Sequence, residues 1–245
     1  MKLKWTLFTL ALSPLSAFAS DGCVLSDPSL TLQTYFFNPQ TEQIKMYWQK
    51  ESGKAYGTLR ALLADIDHDG RVQMAMNGGI YDKAYAPLGL YVENGEQKVA
   101  LNFASGGGNF FIRPGGVFYV KGKEHGIVRL NAFKPITNTD FAVQSGPILI
   151  ENGAINSRLK PAGESRKVRN GVGITAKGGI VFMMSRRKAN LYDFACYAKT
   201  RLNVRQMLYL DGTISKMYQK GKGVPWQYYP FVTMITVEKK TQPKP

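Results

Sequence analysis

The chain has 245 residues, of which 44% are apolar, 12% aromatic and 20% charged, and it contains no internal repeat or low-complexity tract. This composition excludes disordered, collagen-like and coiled-coil proteins and indicates a folded globular protein. The net charge of +15 favours anionic partners such as phosphorylated glycans, lipid headgroups or nucleic acid, although a generally basic solvated surface gives the same charge.

The first 19 residues have the pattern of a secretory signal peptide. Lys2 and Lys4 precede an uncharged apolar run, and Ala17 and Ala19 form an A-x-A cleavage pattern. Pro14 interrupts the run, which is shorter than the roughly 20 residues that a membrane span requires. We therefore expect cleavage after Ala19 and a periplasmic or secreted protein without a transmembrane segment. Loss of the two lysines leaves a net charge of +13, and export argues against nucleic acid as a partner.

Short apolar runs bounded by turn residues predict many strands. The predicted strands are residues 30–37, 44–49, 72–76, 88–92, 99–103, 109–112, 117–120, 141–143, 148–150, 171–175, 180–184, 207–210 and 231–237. Turn signals at 93–95, 151–153 and 177–179 predict that several of these strands form hairpins.

Only two segments have the apolar spacing of a helix. They are residues 56–66 and residues 191–204, the second with Asn190 as its N-cap. The predicted fold class is therefore α+β, with a mixed or mostly antiparallel β-sheet and few helices. A single domain is expected at 20–240, followed by a frayed tail at 241–245.

Two cysteines are present, Cys23 near the start of the expected mature chain and Cys196 in the second predicted helix. In an oxidising compartment they can pair and tie the N-terminal segment to the rest of the protein. Alternatively, Cys196 is a buried thiol and Cys23 a tail residue. The sequence leaves both alternatives open, but it contains no Cys/His cluster of the kind that holds structural zinc.

An acidic segment, residues 65–70, overlaps the end of the first predicted helix. Asp65, Asp67 and Asp69 alternate and are followed by Gly70, as in the first half of a calcium-binding loop. Met76 stands where that loop needs a bidentate glutamate. Calcium binding by the three aspartates and an acidic turn without metal are both consistent with this pattern, and no other metal site is predicted.

The predicted strand at 72–76 ends in an amide and two glycines, Asn77, Gly78 and Gly79. Paired glycines permit positive φ and the close approach of a ligand to the backbone, and an asparagine side chain both donates and accepts hydrogen bonds. The segment is predicted to bind a ligand or, alternatively, to form a simple bulge or turn.

Two further strand ends have the same character. Ser145 and Gly146 interrupt an apolar strand without the flanking glycines of a nucleophile elbow, so Ser145 is expected to donate a hydrogen bond or line a turn. Asp211 follows a predicted buried strand, where a carboxylate either faces a cleft or belongs to a turn. Between them, a basic stretch includes Arg169, and arginine is the residue type that binds phosphate oxygens bidentately.

Taken in chain order, four segments resemble motifs of the phosphodiester glycosidase family. They are Asn77-Gly78-Gly79-Ile80-Tyr81, Gln144-Ser145-Gly146-Pro147, Arg169-Asn170-Gly171-Val172-Gly173 and Leu210-Asp211-Gly212-Thr213-Ile214-Ser215. Each segment is weakly specific alone, but the four together in this order are specific, and the resemblance spans residues 72–237. Thr213 and Ile214 stand where the family's better-known members usually have glycines. Their larger side chains narrow this loop, so the resemblance predicts the fold but leaves the identity of the substrate open.

The resemblance implies hydrolysis of a sugar-1-phosphodiester at its glycosidic bond, which releases a free sugar and a phosphomonoester. Such an enzyme needs cations at the phosphate, a carboxylate at the anomeric carbon and groups that bind hydroxyls. On this basis Asp211 is predicted as nucleophile or general base, Asp82 as a second carboxylate and Arg169 as a phosphate clamp. The remaining predicted substrate-binding residues are Asn77, Gly78, Gly79, Ser145, Gly146 and Ser215.

The alternative function is a non-catalytic periplasmic module that uses the same residues to bind an anionic glycan or a cell-envelope partner. Release of reducing sugar from a sugar-1-phosphodiester distinguishes the enzyme from the module.

Overall fold

Fifteen strands and two α-helices make up the part of the chain that the computed structural model describes, residues 22–133 and 138–241. The strands are β1 (Leu32–Phe36), β2 (Glu42–Tyr47), β3 (Val72–Asn77), β4 (Tyr91–Glu93), β5 (Glu96–Val99), β6 (Gly116–Lys121), β7 (Glu124–Arg129), β8 (Phe141–Ser145), β9 (Ile148–Glu151), β10 (Ala154–Ile155), β11 (Asn170–Thr175), β12 (Ile180–Ser185), β13 (Val204–Tyr209), β14 (Met217–Gln219) and β15 (Met234–Lys239). The helices are α1 (Leu59–Ile66) and α2 (Leu191–Leu202). The predicted signal peptide and residues 242–245 of the predicted tail lie outside the described residues.

The strands form three sheets. A six-stranded sheet has the order β1-β12-β11-β13-β9-β10, a four-stranded sheet the order β14-β3-β15-β2, and a five-stranded sheet the order β5-β4-β8-β6-β7. Each of these neighbouring pairs is antiparallel. The prediction of a mostly antiparallel α+β fold with few helices is confirmed.

The three predicted hairpin turns are also confirmed. They join β4 to β5, β9 to β10, and β11 to β12. In the first two turns an asparagine and a glycine have positive φ: 51° and 82° at Asn94 and Gly95, and 49° and 80° at Asn152 and Gly153. Such Asn-Gly turns match the twist of the strands that they connect.

Two predicted strands are wrong. The predicted strand at 99–103 is wrong beyond Val99, which ends β5, because the main-chain amide and carbonyl of Asn102 pair with the Gln144 side chain, at 2.9 and 2.6 Å, instead of with a neighbouring strand. Residues 109–111 form a short 3₁₀ turn, which Gly108 enters with a φ of 88°. The turn buries Phe110, so the apolar signal reflects burial rather than strand formation.

Both predicted helices are present, with shorter limits. Helix α1 begins at Leu59 because the hydroxyl of Thr58 caps it, accepting from the Ala61 amide at 3.0 Å. Asn190 caps α2 as predicted, and its side chain accepts from the Asp193 amide at 2.7 Å. No helix among the described residues is long and apolar enough to cross a membrane.

Cys23 and Cys196 form a disulfide with a Cα–Cα distance of 5.6 Å, which selects the first of the two alternatives that the sequence left open. Ser26 strengthens the attachment, since its amide donates to the carboxylate of Asp193 at 2.8 Å. The N-terminal segment is therefore fixed to α2, which packs with the six-stranded sheet around Phe194 and Met207.

Candidate functional site

One strand end from each of the three sheets meets at the segment Asn77–Gly79. The main-chain amide of Asp211, just beyond β13, donates to the Gly78 carbonyl at 3.2 Å. The amide of Gly78 donates to the carbonyl of Thr233, the residue just before β15. On the β8 side, a Cβ added at Gly79 would lie 2.7 Å from a methyl of Val143. The structure thus brings together strand ends that are far apart in the sequence.

The two glycines are required by close packing. Neither has positive φ, so that part of the sequence-based reasoning is wrong. A Cβ at Gly78 would lie 2.5 Å from the hydroxyl oxygen of Thr233, and one at Gly79 would lie 3.1 Å from the Gln144 carbonyl. Any larger residue would push the three sheets apart at this point.

Asn77 connects β3 to the loop that carries Asp211. Its side-chain amide donates to the main-chain carbonyl of Asp211 at 2.8 Å, and its side-chain oxygen accepts from the Lys216 amide at 3.1 Å. The Asn77 main-chain carbonyl accepts from the side chain of Asn170 at 3.0 Å. The residue is buried and shapes the Asp211 loop; a hydrogen bond from it to substrate stays a prediction.

The carboxyl of Asp211 is partly buried against this junction. Burial raises its pKa above the usual 3.8, and the Thr213 amide, which donates to Oδ1 at 3.1 Å, offsets only part of that shift. Within the described part of the chain, no cationic side chain contributes to the shift. Burial, together with the nearby Asp211 charge, also raises the pKa of Tyr81 and of Tyr209. A carboxyl in such surroundings is suited to accept or donate a proton.

Arg169 is fully buried, and protein groups surround its guanidinium. Its Nε donates to the Ala189 carbonyl, Nη2 to the carbonyl and hydroxyl of Ser165, and Nη1 to the Tyr209 hydroxyl at 3.0 Å. The guanidinium carbon also lies 5.5 Å from the centre of the Tyr209 ring. Direct contact with a phosphate requires Tyr209 or Ser165 to move, so the clamp role stays a prediction.

Gly212 leaves room for this arrangement, because a Cβ there would lie 2.0 Å from the Tyr209 hydroxyl. Ser215 closes the same loop, and its hydroxyl donates to the Asp211 main-chain carbonyl at 2.9 Å. Gly146, on the β8 side, is packed against the backbone of Phe110, where a Cβ would lie 3.0 Å from the carbonyl oxygen.

Three buried side-chain atoms around the junction have no hydrogen-bond partner among the described residues: Ser145 Oγ, Asn170 Oδ1 and Thr233 Oγ1. Asn170 donates a hydrogen bond to the Asn77 carbonyl, Thr233 is packed against Gly78, and Ser145 is packed against Gly79. A buried polar atom without a partner costs about 1–3 kcal/mol, and a group of them marks a place for a ligand or ordered water.

Asp82 lies a few residues beyond the junction. Its Oδ1 accepts from the amides of Ala84 and Ala86, at 2.9 and 3.0 Å, and so holds a tight turn. The structure thus gives Asp82 a clear role in shaping the chain, and its service as a second carboxylate stays a prediction.

Sequence reasoning missed four residues of the site. Asn170 directly follows the predicted Arg169, and Tyr209 lies two residues before the predicted Asp211. Their closeness in the sequence to predicted site residues could have identified them. Tyr81 ends the first family motif, and its side chain was given no role. Thr233 carries no signal in the sequence, because only the pairing of β3 with β15 places it beside Gly78.

The predicted calcium ligands each have a partner. Asp65 accepts from Lys50 and Tyr56, Asp67 from the Val72 amide, and Asp69 from Arg71. Among residues 22–133 and 138–241, no group of three or more His, Cys, Asp or Glu side chains is arranged to hold a metal ion. Calcium binding at this turn stays a prediction without a preformed site.

A separate cleft of about 500 Å³ is bordered by the lysines Lys45, Lys123 and Lys240 and by Asp140. None of the predicted site residues lines it. The volume of this cleft does not indicate a reaction, so the junction of the three sheets, which holds the predicted site residues, is the better candidate site.

A sequence model described as phosphodiester glycosidase matches residues 70–237, more than half of the chain. The chain therefore belongs to the phosphodiester glycosidase family, and the resemblance inferred from the four motifs is confirmed.

The chain is 66% identical to the uncharacterized protein YigE of Escherichia coli K12 over 240 residues, which cover 98% of this chain and 94% of that protein. It is similar in fold to the catalytic domain of zebrafish N-acetylglucosamine-1-phosphodiester alpha-N-acetylglucosaminidase, with a TM-score of 0.59, 13% identity, and coverage of 88% and 85% of the two chains. A putative exported protein of Burkholderia pseudomallei gives a TM-score of 0.55 at 11% identity, covering 85% and 74%. The two structural similarities show the fold alone.

Proposed function

We propose that the protein is an exported hydrolase that cleaves the glycosidic bond of a sugar-1-phosphodiester and releases a free sugar and a phosphomonoester. The observation that carries this proposal is the partly buried Asp211 carboxyl at the junction of three sheets, in a member of this family; among residues 22–133 and 138–241 it has no cationic partner. The basic composition and the predicted signal peptide support an exported protein that acts on a phosphorylated glycan.

Asp211 acts at the anomeric carbon. In the reaction the bond between that carbon and the phosphate oxygen breaks, and the phosphate leaves with the electron pair. Either Asp211 attacks directly, and water then releases the sugar, or Asp211 takes a proton from an attacking water. A carboxylate whose pKa is raised by burial is a stronger base than an exposed one, which suits both roles.

Arg169 acts on the phosphate through Tyr209. The Tyr209 hydroxyl accepts from Arg169, so its own proton is free to be donated to another group. A phosphate oxygen of the substrate is the acceptor that we assign to it, and because Tyr209 is only 1% exposed, the loop that carries Asp211 and Gly212 must open for this contact. Arg169 is therefore a positioning residue in this structure, and its buried charge strengthens the hydroxyl as a donor.

The unpartnered oxygens complete the site. The hydroxyls of Ser145 and Thr233 and Oδ1 of Asn170 are sealed from solvent, so we expect an ordered water, or opening of the junction, to link them to sugar and phosphate oxygens. Binding of a polar ligand would satisfy these groups and recover the free energy lost by their burial.

The test is a panel of sugar-1-phosphodiesters incubated with the purified chain, with free reducing sugar and phosphomonoester measured together. We expect both products from at least one substrate, and their loss in Asp211→Asn. Glu124→Gln, which removes an exposed carboxylate on β7, is the matched control and should leave turnover unchanged. Saturable binding without release of sugar, over a range of pH and added metals, would support the non-catalytic module instead.

A further inference from the structure

Two tyrosines beside the candidate site form a stacked pair. The ring centres of Tyr81 and Tyr85 are 5.7 Å apart and the ring planes differ by 21°. Tyr81 is half-buried, whereas 53% of Tyr85 is exposed. The pair therefore presents one open aromatic face to solvent, supported from behind by a second ring.

This face belongs to the surroundings of Asp211. Tyr81 comes three residues after Gly78, whose carbonyl accepts from the Asp211 amide at 3.2 Å. The Asp211 charge is close enough to add to the effect of burial in raising the pKa of Tyr81. A molecule that reaches Asp211 from this side meets the aromatic pair.

Tyr85 has a conformation that a side chain rarely adopts. Its φ is 58°, in the left-handed region where glycine is favoured and an aromatic residue is strained. The turn is held by Asp82, whose Oδ1 accepts from the amides of Ala84 and Ala86 and whose carbonyl accepts from the Tyr85 amide at 3.2 Å. Glycine would satisfy the backbone better, so the tyrosine ring contributes something other than the turn itself.

We propose that the Tyr81–Tyr85 pair is a platform for the apolar face of the substrate's sugar ring, and that Tyr85 helps to select the sugar. This inference rests on the proposed function. A pyranose ring has a face of C–H groups, which packs on an aromatic ring while its hydroxyls point to polar atoms. The platform would hold the ring beside Asp211, with the phosphate on the side of Tyr209.

The experiment measures binding separately from turnover. Asp211→Asn serves as the background, and the probes are N-acetylglucosamine, glucose and inorganic phosphate, each titrated by calorimetry. Tyr85→Ala in this background should weaken binding of at least one sugar about tenfold and leave phosphate binding unchanged. Tyr85→Phe, which keeps the ring, should restore most of that loss. Trp226→Ala is the matched control, because it removes an exposed aromatic ring of a different loop.

A second variant separates a binding role from a structural one. Tyr85→Gly relieves the left-handed strain, so we expect its melting temperature to rise while sugar affinity falls. Equal loss of sugar and phosphate binding in Tyr85→Ala, unchanged sugar binding, or no binding of either sugar by the background chain would each overturn the platform. Failure of the wild-type chain to hydrolyse any phosphodiester, with these affinities intact, would overturn only the proposed function.

Discussion

Two acidic loops of this protein have opposite electrostatic characters. The acidic segment at residues 65–69, which begins in the last turn of α1, has three aspartates, and all three have protein partners; at Asp65 and Asp69 hydrogen bonds from Lys50, Tyr56 and Arg71 lower the pKa. The loop after β13 has one aspartate, Asp211, whose pKa is raised because it is buried. The number of carboxylates in a segment is therefore a poor guide to its chemistry. Partial burial, without a cationic partner in the part of the chain that the structure describes, distinguishes Asp211 from the three paired aspartates.

The largest expected effect is on catalysis. Asp211→Asn should lower kcat by about 10²–10⁴-fold or more, because it removes the base or nucleophile. Asp65→Asn, in the other loop, should leave turnover unchanged. The measurement is release of free sugar, with circular dichroism to show that both variants fold. Equal losses of turnover in Asp211→Asn and Asp65→Asn would contradict the conclusion that only Asp211 takes part in catalysis.

Gly212→Ala should have the next largest effect. The added methyl would lie 2.0 Å from the Tyr209 hydroxyl, so Tyr209 must move away from Arg169. We expect a loss of about 1–3 kcal/mol in the free energy of unfolding and a clear fall in kcat/KM. Denaturant unfolding and kinetics measure the two effects. Gly107→Ala, where an added Cβ meets nothing within 4 Å, is the matched control.

Asp82 tests whether a further acidic residue behaves like Asp211 or like the three aspartates of the segment at 65–69. Asp82→Asn keeps an oxygen that can accept from the two turn amides, and Asp82→Ala does not. If Asp82 only holds the turn, Asn should keep nearly full activity, while Ala should cost about 0.5–2 kcal/mol and raise KM. A large fall in kcat for Asp82→Asn would instead support its predicted role as a second carboxylate.

The pH dependence of stability should have opposite signs in the two loops. The folded pKa of Asp211 is raised, so its contribution to stability is full below the unfolded value of 3.8 and is lost as pH rises through the folded pKa. Asp211→Asn should therefore raise the melting temperature near neutral pH and change it little below pH 3.8. Asp69 has a lowered pKa, so Asp69→Asn should lower the melting temperature near neutral pH and lose this effect in acid. Melting curves between pH 3 and 8 test both signs.

The smallest expected effect is that of chelation. The three aspartates of the segment at 65–69 already have protein partners, so removing calcium with a chelator should leave the melting temperature unchanged. A fall that added calcium reverses would show that the turn rearranges to bind the ion.

Local chemistry determined a large part of this protein. Asn190 caps α2 because a side-chain oxygen meets an amide three residues away, and the Asn-Gly turns at 94–95 and 152–153 form because both residues tolerate positive φ. The order of the four motifs was sufficient to identify the family. Each of these signals lies within a few neighbouring residues or depends on order along the chain, so the sequence alone carries it.

Tertiary structure decided what surrounds each of these residues. It paired Cys23 with Cys196, enclosed Arg169 behind Tyr209, and placed Thr233 beside Gly78. Asn77 and Asp211 are 134 positions apart, and their contact exists only because strands of different sheets end at one point. Burial and hydrogen bonding are properties of that packing. The pKa of Asp211, on which the proposed chemistry depends, was therefore beyond what the order of residues could determine.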